Sequence, residues 1–268
     1  MTPIQSCFQC PNPVALVTGS SAARVGRVIA KRLAGEGCRI AIHGRRSDDR
    51  SEEARQQIER TYGVPTLGVF GDVAEEGCAA RLVTDVHDAW GRLDVVVNSA
   101  AIWKPTPLGE VTREELRHYF DINTIACFEM AVESAKIMVD QPRGGAIVNI
   151  GDWATARPYL DHAAYFPSKG AVEVMTRSLA VELSRQNRCI RVNCVQPGPV
   201  LLDEKVDDAT RKALAESTLV GRIGTPESIA DAVAFLCGND FVTGVCLPVD
   251  GGRSIYSPDG LQWGKNTG

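Results

Sequence analysis

Residues 14–26 read Val-Ala-Leu-Val-Thr-Gly-Ser-Ser-Ala-Ala-Arg-Val-Gly, and this stretch decides the fold. Val14 to Val17 is a short apolar run of strand type, and Thr18-Gly19 ends it. Val25, Val28, Ile29 and Leu33 then recur at helical spacing until Gly35 and Gly37 close the pattern. A strand that feeds a helix through a turn of small residues opens a βαβ unit.

The same alternation continues along the chain. Further strands are expected at Cys38 to Ile42, Thr66 to Phe70, Leu93 to Val97, Ala146 to Ile150, Ile190 to Val195 and Val245 to Val249. Helices are expected over Ser51 to Tyr62, Ala74 to Trp90, from the capping box at Thr112–Glu115 to about Val139, over 161–185, and over Pro226 to Leu236. The strands are nearly continuous apolar runs, as they are when helices cover both faces of a sheet. The expected fold is therefore α/β, a doubly wound parallel sheet of seven strands. No linker or repeat divides the chain. One catalytic domain over 13–256 is expected, with an N-terminal extension at 1–12, a tail at 257–268, and a substrate-covering segment at about 199–224.

Composition excludes several classes. At 44% hydrophobic and 23% charged residues, the chain is neither disordered nor collagenous. A net charge of −4 gives no basic footprint for nucleic acid. No run approaches the roughly 20 apolar residues that span a bilayer, and the N-terminus has no basic or apolar signal region. Nine scattered cysteines, an odd number, read as free thiols in a reducing, cytoplasmic compartment rather than as a disulfide framework. Cys7 and Cys10 form a lone C-x-x-C with no further ligands at zinc spacing, so no metal is expected.

In a doubly wound sheet ligands sit beyond the carboxyl ends of the strands. After the first strand, Gly19, Ser21, Arg24 and Val25 form a small-residue turn whose backbone suits a pyrophosphate, although plain turns also look like this. After the second come His43-Gly44-Arg45-Arg46-Ser47. Arginine here accommodates a ribose 2′-phosphate, where an acid would hold the 2′-hydroxyl, so NADP(H) is expected over NAD. Asp72-Val73 follows the third strand, and Asp72 either accepts the adenine amino group or caps the next helix. Asn98-Ser-Ala100 follows the fourth, with small residues that let a ribose lie close. Asp152 follows the fifth strand, and Tyr165 and Lys169 stand four apart on one helix face, with Pro167 pointing to a first-turn position. A phenol of reference pKa about 10 becomes a better proton donor beside an ammonium group. Hydride from a nicotinamide and a proton from Tyr165 would together reduce a polar double bond.

Taken in order, T-G…G, the basic loop, D-V, N-S-A, Asn123, Asp152, Y-x-x-x-K, P-G and V-D-G-G resemble the short-chain dehydrogenase/reductase family over roughly residues 13–255. The resemblance implies that Tyr165 is the acid and that Lys169 is its activator and a ligand of the nicotinamide ribose. It implies that Asn123 holds a proton-relaying water, and that Pro197, Gly198 and Val200 face the nicotinamide. It also implies a homotetramer paired through the helices near 112–139 and 161–185. Asp152 in place of the usual Ser, Arg24 in the glycine loop, the H-x-R-R-S loop and Trp103 before P-T-P-L together resemble the pteridine reductase branch. There Asp152 joins the catalytic residues, Trp103 stacks on a flat pterin, and Arg24 touches both phosphate and substrate. The small-molecule substrate expected is then a pterin or dihydrofolate, with a ketone, sugar or acyl group as the alternative and a non-catalytic NADP(H)-binding regulator as a further one. Asp152 as a mere helix cap and Trp103 as core are the plainer readings of those two residues. Gly19 to Gly26 is one step longer than the family's usual spacing.

Overall fold

The computed structural model of the chain describes residues 1–200 and 206–256. Seven strands, β1 (Val14–Val17), β2 (Arg39–Gly44), β3 (Thr66–Phe70), β4 (Val95–Asn98), β5 (Gly145–Ile150), β6 (Ile190–Pro197) and β7 (Cys246–Val249), form one sheet. Its order is β3-β2-β1-β4-β5-β6-β7, and every pairing is parallel. The strands run as the apolar stretches require, because both faces are covered. Alternate residues such as Val14 and Leu16, against Ala15 and Val17, enter two separate cores.

Helices α1 (Pro3–Phe8), α2 (Val25–Gly35) and α9 (Pro226–Gly238) cover one face. Helices α4 (Cys78–Trp90), α6 (Ala126–Met138) and α7 (Tyr165–Gln186) cover the other. Helix α3 (Asp49–Tyr62) flanks β3, α5 (Arg113–Phe120) precedes α6, and α8 (Asp208–Glu216) lies in the segment that the sequence left unread. Among the described residues no helix is long and apolar enough to cross a membrane.

Four boundaries depart from expectation. Residues 1–12 are not a loose extension: Thr2 forms a capping box with Gln5, and Ile4 and Phe8 are buried in the core beneath α9. The helix after β3 begins at Cys78 rather than Ala74, after the left-handed Gly77. The helix after β5 begins at Tyr165 rather than 161, because Asp161 takes a positive φ and Pro167 suits only a first turn. The helix after Thr112 is interrupted at Asp121–Ile125 by a π turn, whose apolar spacing looks helical in sequence. The tail at 257–268, and residues 201–205 of the expected substrate segment, lie outside the described residues.

The buried position of α1 carries a testable consequence. Ile4 is fully buried, so Ile4→Ala is expected to cost about 2–5 kcal/mol in urea unfolding. Turnover per folded molecule should stay unchanged. A cost below about 0.5 kcal/mol would mean that α1 is not part of the core.

Candidate active site

Strand order reverses between β1 and β4, and ligands bind at such switch points. The two strand ends approach closely there. A Cβ on Gly19 would lie 3.0 Å from the Ala100 Cα, and Gly19 has φ +68°, so only glycine fits. A Cβ on Gly26 would lie 3.0 Å from the Gly19 carbonyl oxygen. Gly26 therefore still closes on Gly19, and residues 20–24 absorb the extra step in the loop. The switch point opens into a cleft of about 1010 Å³, room for a dinucleotide together with a small substrate.

His43 organises the nucleotide end. Its Nδ1 accepts the Gly19 N–H at 3.0 Å, and its Nε2 lies 3.0 Å from the Gly71 carbonyl. A ring that accepts at Nδ1 and donates at Nε2 is neutral, and burial pushes its pKa down. One imidazole thus ties together the ends of β1, β2 and β3. Its ring is committed to the backbone, so it positions the turn, and its edge lies in the cleft lining.

Arg45 lines the cleft and pairs with Asp72 at 3.2 Å. Asp72 also accepts the Ala74 N–H at 3.1 Å, in a turn that comes before α4 rather than capping it. Arg46 and Ser47 are exposed and lie outside the cleft lining, so only the first of the two loop arginines faces it. Gly19, Ser21, Arg24, Val25, Val73, Ala100, Pro197, Gly198 and Val200 stand where the sequence placed them, along the cleft. A glycine cradle that a Cβ would fill and a cation beside β2 fit a phosphorylated dinucleotide. Asp48, the acid nearest the end of β2 in sequence, is engaged in capping α3, where it accepts the Ser51 N–H.

Asn98 does not face the cleft. Its side chain donates to the Cys127 carbonyl at 3.2 Å and to Asn149 Oδ1 at 2.9 Å, and Asn149 donates on to Thr176. The strand residue before the turn points into the sheet's covered face, and the pleat leaves it no other choice.

The other end of the cleft holds the reactive groups. The Tyr165 hydroxyl donates to Asp152 Oδ2 at 2.6 Å. Asp152 Oδ1 accepts the Ala154 N–H at 2.8 Å and caps a short 3-10 turn, so the cap reading holds while the other carboxylate oxygen faces Tyr165. Burial, reinforced by the Asp152 charge and hydrogen bond, pushes the Tyr165 phenol far above its ordinary value. The sequence argument had Lys169 drawing that phenol down, but burial first and then the Asp152 carboxylate push it up. Lys169 is itself buried, donates to the Ile150 carbonyl at 2.8 Å, and is pulled down by burial against the opposing charge of Asp152.

Asn123 lies in the π turn, outside the cleft lining. Its Oδ1 accepts the Ile102 N–H at 2.9 Å, and its Nδ2 donates to the Ile102 carbonyl and to Ser168 Oγ. It clamps the loop after β4 against α7, one residue from Lys169, and its geometry is that of a positioning residue.

Trp103 is no core residue: it is 56% exposed, lines the cleft, and donates its indole N–H to Tyr159 at 3.2 Å. One of its faces stacks on His162, with ring centroids 4.8 Å apart. Tyr159 and His162 carry no motif or spacing that sequence reasoning could use, and Arg253 is marked only by the V-D-G-G that precedes it. Arg253 returns over Trp153 at 4.6 Å because Asp250 accepts the N–H groups of Gly252 and Ser254 and curls the chain after β7. The V-D-G-G motif is the local trace of that curl. Among the described residues no cluster of three or more His, Cys, Asp or Glu could hold a metal ion.

Comparison with known proteins places this geometry. A family model described as enoyl-(acyl carrier protein) reductase, of the short-chain alcohol dehydrogenase type, matches residues 21–254. The chain is 30% identical over 256 residues to 3beta-hydroxysteroid dehydrogenase 1 of Eggerthella lenta, covering 93% of this chain and 96% of that protein. It is 35% identical over 252 residues to a short-chain type dehydrogenase/reductase of Picea abies, covering 90% and 92%. Among solved structures, a putative gluconate dehydrogenase from Agrobacterium tumefaciens superposes with TM-score 0.83 at 29% identity, covering 91% of this chain and 97% of that one. These relatives are named for hydroxysteroid and gluconate chemistry, and none of them is named for pteridine reduction.

Proposed function

The chain belongs to the short-chain dehydrogenase/reductase family, and on that premise we propose that it is an NADP(H)-dependent oxidoreductase interconverting a carbonyl and an alcohol on a small molecule. The single observation that carries the chemistry is the Tyr165 phenol, held as a protonated donor at the end of a cleft whose other end is the Gly19 turn. The relatives named for hydroxysteroids and gluconate favour a carbonyl–alcohol pair over the pterin that the sequence suggested first.

The bound nicotinamide supplies or removes hydride; the protein does the rest. Gly19 and Ala100 leave space for the dinucleotide backbone. Arg45 offers a charge-assisted contact for a 2′-phosphate, in competition with Asp72. The Tyr165 O–H, turned from Asp152 to the substrate oxygen, delivers the proton in reduction and accepts it back in oxidation. Lys169, fixed by the Ile150 carbonyl, keeps a cation beneath the reacting centre. Trp103, Trp153 and Tyr159 line the substrate side with aromatic surface.

The test is a panel of ketones, sterols, polyol acids and dihydropterins, followed by nucleotide absorbance with NADPH, NADH and their oxidised forms. Turnover of a carbonyl or alcohol is expected. No turnover of any carbonyl or alcohol with either nucleotide would overturn the reading. A second reading, a planar nitrogen heterocycle such as a dihydropterin, is favoured by one specific contact. The Asp152 carboxylate is an acceptor that suits an amino-pyrimidine edge better than a developing oxyanion.

Nucleotide preference is tested separately. A hydrogen bond to a charged group is worth about 1.5–3 kcal/mol, so Arg45→Ala is expected to weaken NADPH binding tenfold or more. NADH binding should change less than twofold. Equal losses for both nucleotides, read by fluorescence titration, would remove Arg45 from 2′-phosphate recognition.

A further inference from the structure

All nine cysteines are free, and the fold sets two of them side by side outside the catalytic set. Cys194 on β6 and Cys246 on β7 are direct partners in the parallel register. Both reach the α7 side of the sheet, where they share a small cluster with Cys127, Val172 and Met175. Each thiol proton is directed at a backbone carbonyl, that of Cys194 at Val195 (3.6 Å) and that of Cys246 at Glu173 (3.8 Å), which leaves the two sulfurs as neighbours rather than donor and acceptor. Neighbouring strands run about 4.8 Å apart, inside the roughly 4.4–6.8 Å between Cα atoms that a disulfide bridges.

The two sulfurs differ in character. Cys194 is fully buried and Cys246 half-buried. The Arg177 guanidinium lies 3.5 Å from Cys246 Sγ, and the Glu173 carbonyl accepts from that thiol. The neighbouring Cys194 thiol, with the Arg177 guanidinium adding to it, draws Cys246 below its ordinary value against burial and the Glu173 charge. The neighbouring Cys246 and burial push Cys194 up, with Cys127 in the same sense and only Lys169 opposing. A half-buried thiolate character next to a buried thiol is the arrangement of an attacking and a resolving cysteine.

The pair also touches the active strand end. A Cβ on Gly151 would lie 2.8 Å from Cys194 Sγ, so that sulfur sits directly against the residue before Asp152. We propose that Cys194 and Cys246 form a redox-active dithiol that a hydroperoxide converts to a disulfide, and that the bridge shifts the Gly151–Asp152 strand end and slows turnover.

The Cys246 sulfur attacks one peroxide oxygen. The O–O bond breaks, giving a sulfenic acid and hydroxide, which leaves as water with the thiol's proton. Cys194 sulfur then displaces the sulfenic hydroxyl, and its own proton departs with it as a second water. Two thiols are oxidised by two electrons, and one hydroperoxide is reduced. With an alkyl hydroperoxide the first leaving group is the alcohol.

The thiol chemistry is independent of the proposed substrate; only the effect on turnover rests on it. The full chain is treated with hydrogen peroxide and read by intact mass, by thiol titration, and by tryptic peptide mapping with fragmentation that separates Cys246 from Cys237. Expected are the loss of two thiols and two hydrogens, a Cys194–Cys246 linked peptide, and a several-fold fall in turnover that dithiothreitol reverses. Cys246→Ser should lose the link and the peroxide sensitivity while keeping basal turnover. Cys194→Ser should stop at a dimedone-trappable sulfenic acid on Cys246. If either serine variant is unfolded by circular dichroism, the alanine variant reads the same two outcomes. Oxidation confined to the exposed Cys189, a bridge from Cys194 to Cys127, or a linked peptide with unaltered turnover would each overturn the proposal.

Discussion

Tyr165→Phe is expected to lower turnover by about 10²–10⁴ while leaving nucleotide affinity within twofold. The phenol makes one hydrogen bond, to Asp152 at 2.6 Å, and its ring packs edge-on to Tyr119 and Phe166. Phenylalanine keeps the ring contacts and removes only the hydroxyl. Steady-state rates with the substrate found in the panel, alongside a nucleotide titration, separate the two effects. A variant within tenfold of the parent would show that Tyr165 is not the proton donor.

The pH profile should carry the same signature, and its sign follows from the phenol's environment. Burial and the Asp152 carboxylate raise Tyr165, so its protonated form persists past its ordinary range near pH 10. The kcat/KM of reduction reports the free enzyme and should therefore show no alkaline fall from this group up to about pH 10. Asp152→Asn removes the charge that raises the phenol, and an alkaline limb should then move down in pH. An alkaline limb in the parent enzyme well below pH 10 that disappears in Tyr165→Phe would contradict the raised phenol.

Much of this was legible from the sequence, for physical reasons that also explain the rest. The strands showed because a sheet covered on both faces must be apolar at every position, and Leu93 to Val97 or Ala146 to Ile150 admits few other readings. The glycine turn and the Tyr165–Lys169 pair showed because each depends on neighbours in the chain. Helix α1, at Pro3–Phe8, is too short for apolar periodicity to reveal, although Thr2-Pro3-Ile4-Gln5 is itself a capping box. The π turn could not be read, since one extra residue per turn leaves the apolar spacing looking helical. Tyr159 and His162 lie between Asp152 and Tyr165, in a stretch with no periodic pattern to place them, and Arg253 comes from the turn after β7, where only the Gly251-Gly252 pair behind Asp250 hints at a sharp turn. The direction of the Tyr165 shift was misread because desolvation does not appear in a spacing rule. It is the largest influence on that phenol.

Asp152→Ser separates the two substrate classes in a single protein. An ionised carboxylate only accepts hydrogen bonds, so it cannot help Tyr165 donate to a developing alkoxide. A serine hydroxyl can donate there. Serine also caps a turn as well as aspartate does, so the bond from Asp152 Oδ1 to the Ala154 N–H has a ready replacement. The thermal midpoint should accordingly move by only a few degrees. For a carbonyl substrate the variant is expected to keep or raise turnover, by up to about tenfold, because one preorganised oxyanion donor is worth roughly 10²–10³ at full occupancy. For a dihydropterin it is expected to lose turnover by 10² or more, since the acceptor for the amino-pyrimidine edge and the negative charge that favours a protonated ring nitrogen both disappear. The phenol should respond in step, because its bond at 2.6 Å to a charge becomes a bond to a neutral hydroxyl, and the alkaline limb of the reduction profile should move down in pH while burial still holds the phenol up. A folded variant that loses carbonyl turnover as completely as heterocycle turnover would sink the carbonyl assignment, because the carboxylate would then be serving the proton transfer itself.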